Sequence, residues 1–257
     1  MLSLALAIDS LAHPAPSASL PDIHPCLQAS HDCTTLPLDE FRKRLRKQYR
    51  NFTNAPSSVL QVRDAISPQG CAALRRAVDA SPSKAKDSVD QLPAYQIDLS
   101  RRQLEKLVGR RTVDALLTEL PRRFLDFDAS ASAAVGPRRL RPLSVFVRKY
   151  SRDGRPWIDF HQDASLVTAN IALANDSVHS GGRLVTVLHQ RVQSIARSEG
   201  EATIHSSQLL HGVNEITNGV RYSLILFFRA AAVGRIESAM RTAGDKVSAW
   251  WHGMGIG

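Results

Sequence analysis

From Leu140 onward the chain is written in short apolar segments separated by turn residues, and this texture restricts the fold more than any other feature. The segments "LSVFVRKY", "WIDFHQD", "SLVTANIAL", "RLVTVL", "EATIH" and "VRYSLILFF" are rich in β-branched and aromatic residues. Gly, Asn, Asp and Ser clusters such as "SRDG", "ANDSVHSGG" and "TNG" divide them. Many short strands at near-regular spacing indicate an antiparallel sandwich or barrel.

The residues before Leu140 follow a different period. "SSVLQVRDAI" (57–66) alternates as a strand does. Ser67 is a good N-cap with Pro68 at the first helical position, and Cys71, Leu74 and Val78 share one face of the helix that follows. "YQIDL" (95–99) is a short strand, and "SRRQ" (100–103) is a capping box opening a helix through Val108. "RTVDALLTEL" forms a second helix, which Pro121 ends or kinks. The expected class is mainly β with flanking helices. The stretches 81–94 and 129–139 read as mobile loops and candidate lids.

The ends are less patterned. Residues 1–37 are expected to be a flexible N-terminal tail, because the Pro-, Ser- and Ala-rich run 9–37 shows no period. The stretch 38–57 reads as a helix and linker: in "LDEFRKRLRKQYRNF" Phe41, Leu45, Tyr49 and Phe52 recur at helical spacing among six basic residues. Helical spacing returns over 233–257, where Trp250 and Trp251 are expected to pack on the body.

Composition sets outer limits. The 257 residues are 43% hydrophobic, enough for one substantial core. A net charge of +9 fits an anionic partner, either nucleic acid or a small dicarboxylate. Cys26, Cys33 and Cys71 make no disulfide framework, and a reducing compartment is the simpler expectation. No apolar run approaches a membrane span. The first residues lack the basic flank of a secretory signal or transit peptide, so a cytoplasmic location is the default.

Among nine histidines, only His161 is followed two positions later by a carboxylate, Asp163. Residues i and i+2 at a strand end face the same way, so the pair can converge on one ion. A third ligand must come from elsewhere. His211, after the apolar "QLL", is the best candidate and His205 its main rival; His179 sits beside a Gly-Gly turn and His189 in a polar loop. Two imidazoles and one carboxylate with open positions suit a non-haem Fe(II) oxygenase, although zinc accepts the same ligands. Arg221 and Ser223 favour iron. They share a strand face and can grip the far carboxylate of a keto-diacid whose other end chelates the metal. An odd-length hairpin loop at Thr217–Gly219, or an equivalent bulge, would put His211 and Arg221 on one face.

The run from about Val145 to Arg229 contains "RKYSRDGRPWIDFHQD", "TANIALAND", "GGRL", "GEATIH" and "LLHGVNEITNGVRYSLILFF" in this order. It resembles the iron(II)/2-oxoglutarate-dependent dioxygenases, most closely the prolyl 4-hydroxylase-like branch. "VRDAISPQGCAALRRAVDAS" is similar to that branch's strand-helix lead-in. The resemblance implies a double-stranded β-helix, or jelly roll, at 140–230, within a domain at 58–232 whose lead-in helices span 67–125. It implies iron on His161, Asp163 and His211, and 2-oxoglutarate held by Arg221 with Ser223 assisting and Tyr150 reaching the co-substrate. Thr168 and Asn170 would line the cavity. No catalytic side chain is required beyond the metal ligands.

The implied activity is that of an oxidoreductase. It hydroxylates an unactivated C–H bond of a peptide or protein substrate, such as a prolyl residue, using O2 and releasing succinate and CO2, with ascorbate as auxiliary reductant. The collagen-modifying members usually carry Lys where this chain has Arg221, which weakens the substrate assignment. A nucleic-acid demethylase of the same superfamily ranks second, because the Arg-x5-Arg pattern of that branch is not met by Arg221 and Arg229. A non-catalytic jelly-roll binding module ranks third.

Overall fold

The computed structural model describes residues 23–29, 33–52, 58–80 and 82–231. The start of the expected tail and the helix expected over 233–257, with Trp250 and Trp251, lie outside the described residues. Ten strands run in chain order: β1 Val59–Val62, β2 Gln96–Asp98, β3 Leu140–Ser151, β4 Ile158–His161, β5 Val167–Ala172, β6 Leu184–Leu188, β7 Arg191–Ile195, β8 Ala202–Ser206, β9 His211–Val213 and β10 Val220–Ala230. They form a six-stranded sheet in the order β1-β8-β5-β10-β3-β2 and a four-stranded sheet in the order β4-β9-β6-β7. All pairings are antiparallel. Strands β3 to β10 divide between the two sheets as a jelly roll requires.

Period-2 alternation explains why the large sheet reads as almost continuously apolar. Val145 and Val147 of β3, Val167, Ala169 and Ile171 of β5, and Leu224, Leu226 and Phe228 of β10 pack outward on the helices. Their neighbours Phe146, Arg148, Tyr150, Thr168, Asn170, Ile225 and Phe227 face a cavity between the sheets. The strands are buried on both faces, so the polar residues among them mark the inner one.

The helices over the large sheet start where the local chemistry dictates. In α2, Pro68–Ala80, the Ser67 hydroxyl accepts from the Gly70 amide, and Cys71, Leu74 and Val78 are buried. In α3, Arg101–Val108, Ser100 and Gln103 form the expected capping box. Then α4, Arg110–Asp114, widens into a π turn over Ala115–Glu119 and continues as α5, Leu120–Phe127. Pro121 does not end the helix: it stands just after the widened turn, where the ladder of hydrogen bonds already shifts. The lid expected over 129–139 is instead largely α6, Ala129–Val135, capped by Asp128, with Ala131 and Val135 buried.

Two expectations for the N-terminal region are corrected. Residues 23–29 and 33–37 lie within the expected tail, yet they pack on the outer face of the small sheet. There Leu27 and Phe41 are fully buried beside Phe160, Val185, Val187 and Leu210. Cys26 and Cys33 are joined in a disulfide, against the expectation of free thiols. A 3-10 turn over Pro25–Leu27 and a turn after Cys33 bring their Cα atoms to 5.3 Å, a closeness no periodic pattern announces.

The basic helix expected over 38–52 is cut to α1, Leu38–Lys43, followed by a short 3-10 turn over Lys47–Tyr49. Arg46 lies extended between them and donates to Asp159 at 2.7 Å, so tertiary pairing overrides helix propensity. Replacing Leu27 with alanine is expected to lower stability by about 2–4 kcal/mol, the usual cost of emptying a filled core site. Urea unfolding reads this directly; a change within about 0.5 kcal/mol, the scale of surface substitutions, would show that the segment is not part of the core.

Candidate metal centre

Three elements bring His161, Asp163 and His211 together. Between β4 and β9, Ile158 pairs with Val213 and His161 with His211, so three steps on one strand match two on the other. This bulge shifts the phase of β4 by one residue and turns the His161 side chain inward, opposite His211. Asp163 follows two residues later, just past the strand end. One nitrogen from each imidazole and one carboxylate oxygen lie within 4.8 Å of one another. His161 Nε2 stands 3.4 Å, and His211 Nε2 3.8 Å, from the Asp163 carboxylate.

Hydrogen bonding orients all three groups. His161 Nδ1 donates to the Asp159 carbonyl at 2.7 Å, and His211 Nδ1 to the Leu209 carbonyl at 3.1 Å. A carbonyl cannot donate, so each Nδ1 carries the proton and each Nε2 is free to ligate. Thr168 Oγ1 donates to Asp163 Oδ2 at 2.6 Å and contacts Ser165 Oγ at 2.9 Å. Thr168, expected as a cavity residue, thus also holds the carboxylate in place.

The electrostatics suit a cation. Burial alone would raise the Asp163 carboxyl, yet the imidazoles of His211 and His161 beside it hold it far below the usual carboxylate range. Burial pushes His211 down to about 3, leaving it neutral and able to ligate. Burial disfavours charge on His161 as well, but its hydrogen bond to Asp163 raises its pKa overall.

The rival His205 lies on the large sheet, opposite Thr168, with its ring 4.8 Å from that of His211. It does not belong to the ligand group. His189 is exposed, and His179 packs beside Asp176 at 3.4 Å.

Arg221 and Ser223 project from β10 on the same face as Ile225 and Phe227, toward the small sheet. Arg221 pairs across the ladder with Tyr150, and its guanidinium sits 5.0 Å from that ring's centroid. Its Nη1 donates to the Gly182 carbonyl at 3.0 Å, while Nε and Nη2 are buried without a partner. The Ser223 hydroxyl is likewise buried without one. Burial first, and the neighbouring Arg197 second, bring the Arg221 pKa down to about 9. Buried donors left unpaired are costly, and an anionic ligand would satisfy them.

The expected hairpin between His211 and Arg221 does not form. β9 and β10 belong to different sheets, and residues 214–219 cross between them. Loop parity is therefore irrelevant: the two residues share an interior because the sheets face each other. Gly219 does adopt the expected left-handed conformation, at φ 77°.

Residues 82–94, expected as a mobile lid, are instead tied down. Ser83 and Gln96 exchange two backbone hydrogen bonds. Arg155, fully buried, grips Asp90 in a two-pronged pair at 2.8 and 3.0 Å. Arg148 contacts Asp87 at 2.7 Å. Burial would raise Asp87, but Arg148 and Arg155 keep its pKa below the ordinary value. Sequence reasoning missed these pairs because the partners lie some 60 residues apart and follow no common period. The segment walls a cavity of about 180 Å³ that His161, Asp163, His211, Tyr150, Thr168 and Asn170 also line.

The jelly roll thus brings a buried His-x-Asp…His group to one side of a cavity and the partly unpartnered guanidinium of Arg221 to the other. No family model matches the chain. It is 22% identical over 214 residues to "2-oxoglutarate and iron-dependent oxygenase domain-containing protein CP2" of Arabidopsis thaliana, covering 78% of this chain and 53% of that protein. It is 30% identical over 129 residues to "2-oxoglutarate and iron-dependent oxygenase domain-containing protein 2" of Homo sapiens, covering 47% and 36%. The chain therefore spans about half the length of one curated relative and about a third of the other. Similar solved structures include a Pseudomonas putida prolyl-4-hydroxylase (TM-score 0.49, 16% identity, 69% of this chain and 95% of that one). Another is a viral collagen prolyl hydroxylase from Paramecium Bursaria Chlorella virus-1 (0.47, 13%, 68% and 96%). Both curated relatives are named as 2-oxoglutarate and iron-dependent oxygenase domain-containing proteins, and this chain is similar to them over the aligned parts.

Proposed function

We propose that this protein is an Fe(II)- and 2-oxoglutarate-dependent dioxygenase that hydroxylates an unactivated C–H bond of a peptidyl residue such as proline. The observation that carries the reading is the pairing of two features across one cavity: three convergent ligand atoms on one side, and the unpartnered buried donors of Arg221 and Ser223 on the other. His161, Asp163 and His211 hold the iron. Arg221 and Ser223 receive the far carboxylate of 2-oxoglutarate, and Tyr150 supports the guanidinium with its ring face.

Bound iron supplies the activation of O2 coupled to oxidative decarboxylation of the co-substrate to succinate and CO2. The protein contributes orientation and exclusion of water. Apolar side chains of Phe146, Ile158, Leu184, Val213, Ile225 and Phe227 surround the reacting space. Exposed Ser88 and Ala164 and half-buried Tyr49, Val89 and Gln162 form its rim. A narrow cavity with a pinned rim suits one side chain of a peptide reaching inward. The nucleic-acid reading keeps one supporting observation, Tyr49 at the rim between exposed Lys47 and Arg50.

Purified protein supplied with Fe(II), 2-oxoglutarate and ascorbate is to be assayed for succinate with proline-rich peptides and with methylated oligonucleotides. Turnover stimulated by peptides is the expected result. Stimulation by oligonucleotides alone would replace the substrate assignment, and no turnover with or without either would reject the enzyme reading. Arg221→Ala is expected to raise the 2-oxoglutarate concentration needed for half-maximal rate by about a hundredfold, within the range for truncating one side of a buried charge pair. A change of less than about threefold would remove Arg221 from the co-substrate site.

A further inference from the structure

Behind Arg221 lies a second buried ionic group, and this inference rests on the co-substrate reading given above. Asp176 is buried and is fixed from several sides by Arg197. The Arg197 amide donates to Asp176 Oδ2 at 3.1 Å, the Asp176 amide donates back to the Arg197 carbonyl at 3.2 Å, and Arg197 Nη2 lies 3.4 Å from Asp176 Oδ1. His179 Nε2 is also 3.4 Å from that oxygen, and Arg183, more exposed, is 3.9 Å from Oδ2. Arg197 reaches the cavity as well: its Nη1 donates to the side chain of Asn170 at 3.0 Å, and Asn170 lines the wall beside Ile225.

Asp176 makes no ion pair with Arg221 among the described residues, although the two feel each other's charge. Burial would raise the Asp176 carboxyl. The contact with His179 and the charges of Arg197 and Arg221 instead hold its pKa below the ordinary value. The geometry links Asp176 to Arg221: Arg221 Nη1 donates to the Gly182 carbonyl, and His179, whose Nδ1 donates to the adjacent Gly181 carbonyl, faces Asp176 through Nε2, so one internal carboxylate stands near two buried guanidinium groups and is committed to Arg197. A buried charge that loses its partner is strongly destabilised and is driven toward another.

We propose that Arg197 is a positioning residue for 2-oxoglutarate: it ties up Asp176, an internal competitor, and so leaves the free N–H groups of Arg221 for the co-substrate's far carboxylate. Without Arg197, Asp176 turns toward Arg221 and occupies part of the anion's place.

The test is calorimetric titration of Mn(II)-loaded protein with 2-oxoglutarate and with 2-oxobutyrate, which keeps the chelating end and lacks the far carboxylate. R197Q is expected to weaken 2-oxoglutarate binding about tenfold and to leave 2-oxobutyrate unchanged. R197Q/D176N removes the competitor and is expected to return within about threefold of the wild type, the coupling a double-mutant cycle isolates. R197K, which keeps the charge, and D176N alone are both expected to bind 2-oxoglutarate at least half as tightly as the wild type.

If R197Q binds 2-oxoglutarate as the wild type does, or loses both ligands equally, or is not rescued by D176N, the positioning role is wrong. Should R197Q fail to fold, D176N decides: binding weakened by more than about threefold overturns the competitor. A wild type that binds 2-oxobutyrate or Mn(II) but no 2-oxoglutarate overturns the co-substrate reading itself, and this inference with it.

Discussion

His161→Ala and Asp163→Ala are each expected to abolish succinate formation, lowering turnover by about a thousandfold or more. Loss of an outer hydrogen-bond partner of a metal ligand typically costs 10–100-fold, and removal of a ligand itself exceeds that. The two variants fail in distinct ways. His161→Ala removes one of two imidazoles whose Nε2 is freed for ligation by a backbone carbonyl at Nδ1. Asp163→Ala removes the only carboxylate of the ligand group, and with it the negative charge that two buried imidazoles surround.

Iron retained after anaerobic reconstitution, measured per mole of protein, should fall with activity in both. His205→Ala is the control. His205 touches the ring of His211 but lies outside the ligand group, so that variant should keep its iron. Full activity in His161→Ala, or loss of iron in His205→Ala with retention in His161→Ala, would assign the ligands differently.

Arg155→Met is expected to lower stability by about 3–5 kcal/mol, the cost of leaving a buried partner charge uncompensated. Arg155 has no solvent exposure, and its two-pronged pair with Asp90 is equally dry. Methionine fills part of the volume and leaves Asp90 without its counter-charge, held among the described residues only by the Leu92 amide. Arg155→Lys keeps a charge but cannot reproduce both prongs, and should recover only part of the loss. Denaturant unfolding gives the stability. Limited proteolysis between residues 82 and 94 gives the local effect, and cleavage there should accelerate more than elsewhere. A stability loss under 1 kcal/mol would mean that backbone bonds such as those of Ser83 with Gln96 hold this wall unaided.

The inner architecture was legible because strands carry their own period. Val145, Val147, Leu224 and Leu226 alternate with Phe146, Arg148, Ser223 and Ile225, so both the sandwich and its inward face could be read from the residues. His161 and Asp163 were visible for a related reason, their i, i+2 spacing at a strand end. What stayed hidden depends on contacts between distant segments. No local pattern links Arg155 to Asp90, or Arg197 to Asp176, and composition made 81–94 and 129–139 look like lids when one is pinned by ion pairs and the other is a capped helix. The N-terminal segment misled for the same reason. Pro- and Ser-rich sequence lacks a period whether it is loose or, as around Leu27, laid into a groove prepared by Phe160 and Leu210.

The bulge in β4 has a consequence for how such centres can be altered. Because one strand carries an additional residue between its two matched pairs, the inward aim of His161 depends on a count of residues as well as on their chemistry. A strand of the same letters that paired regularly from Ile158 onward would set Phe160 opposite His211. The imidazole of His161 would then swing to the outer side, among Leu27 and Phe41, and the ligand group would come apart without any ligand having been substituted.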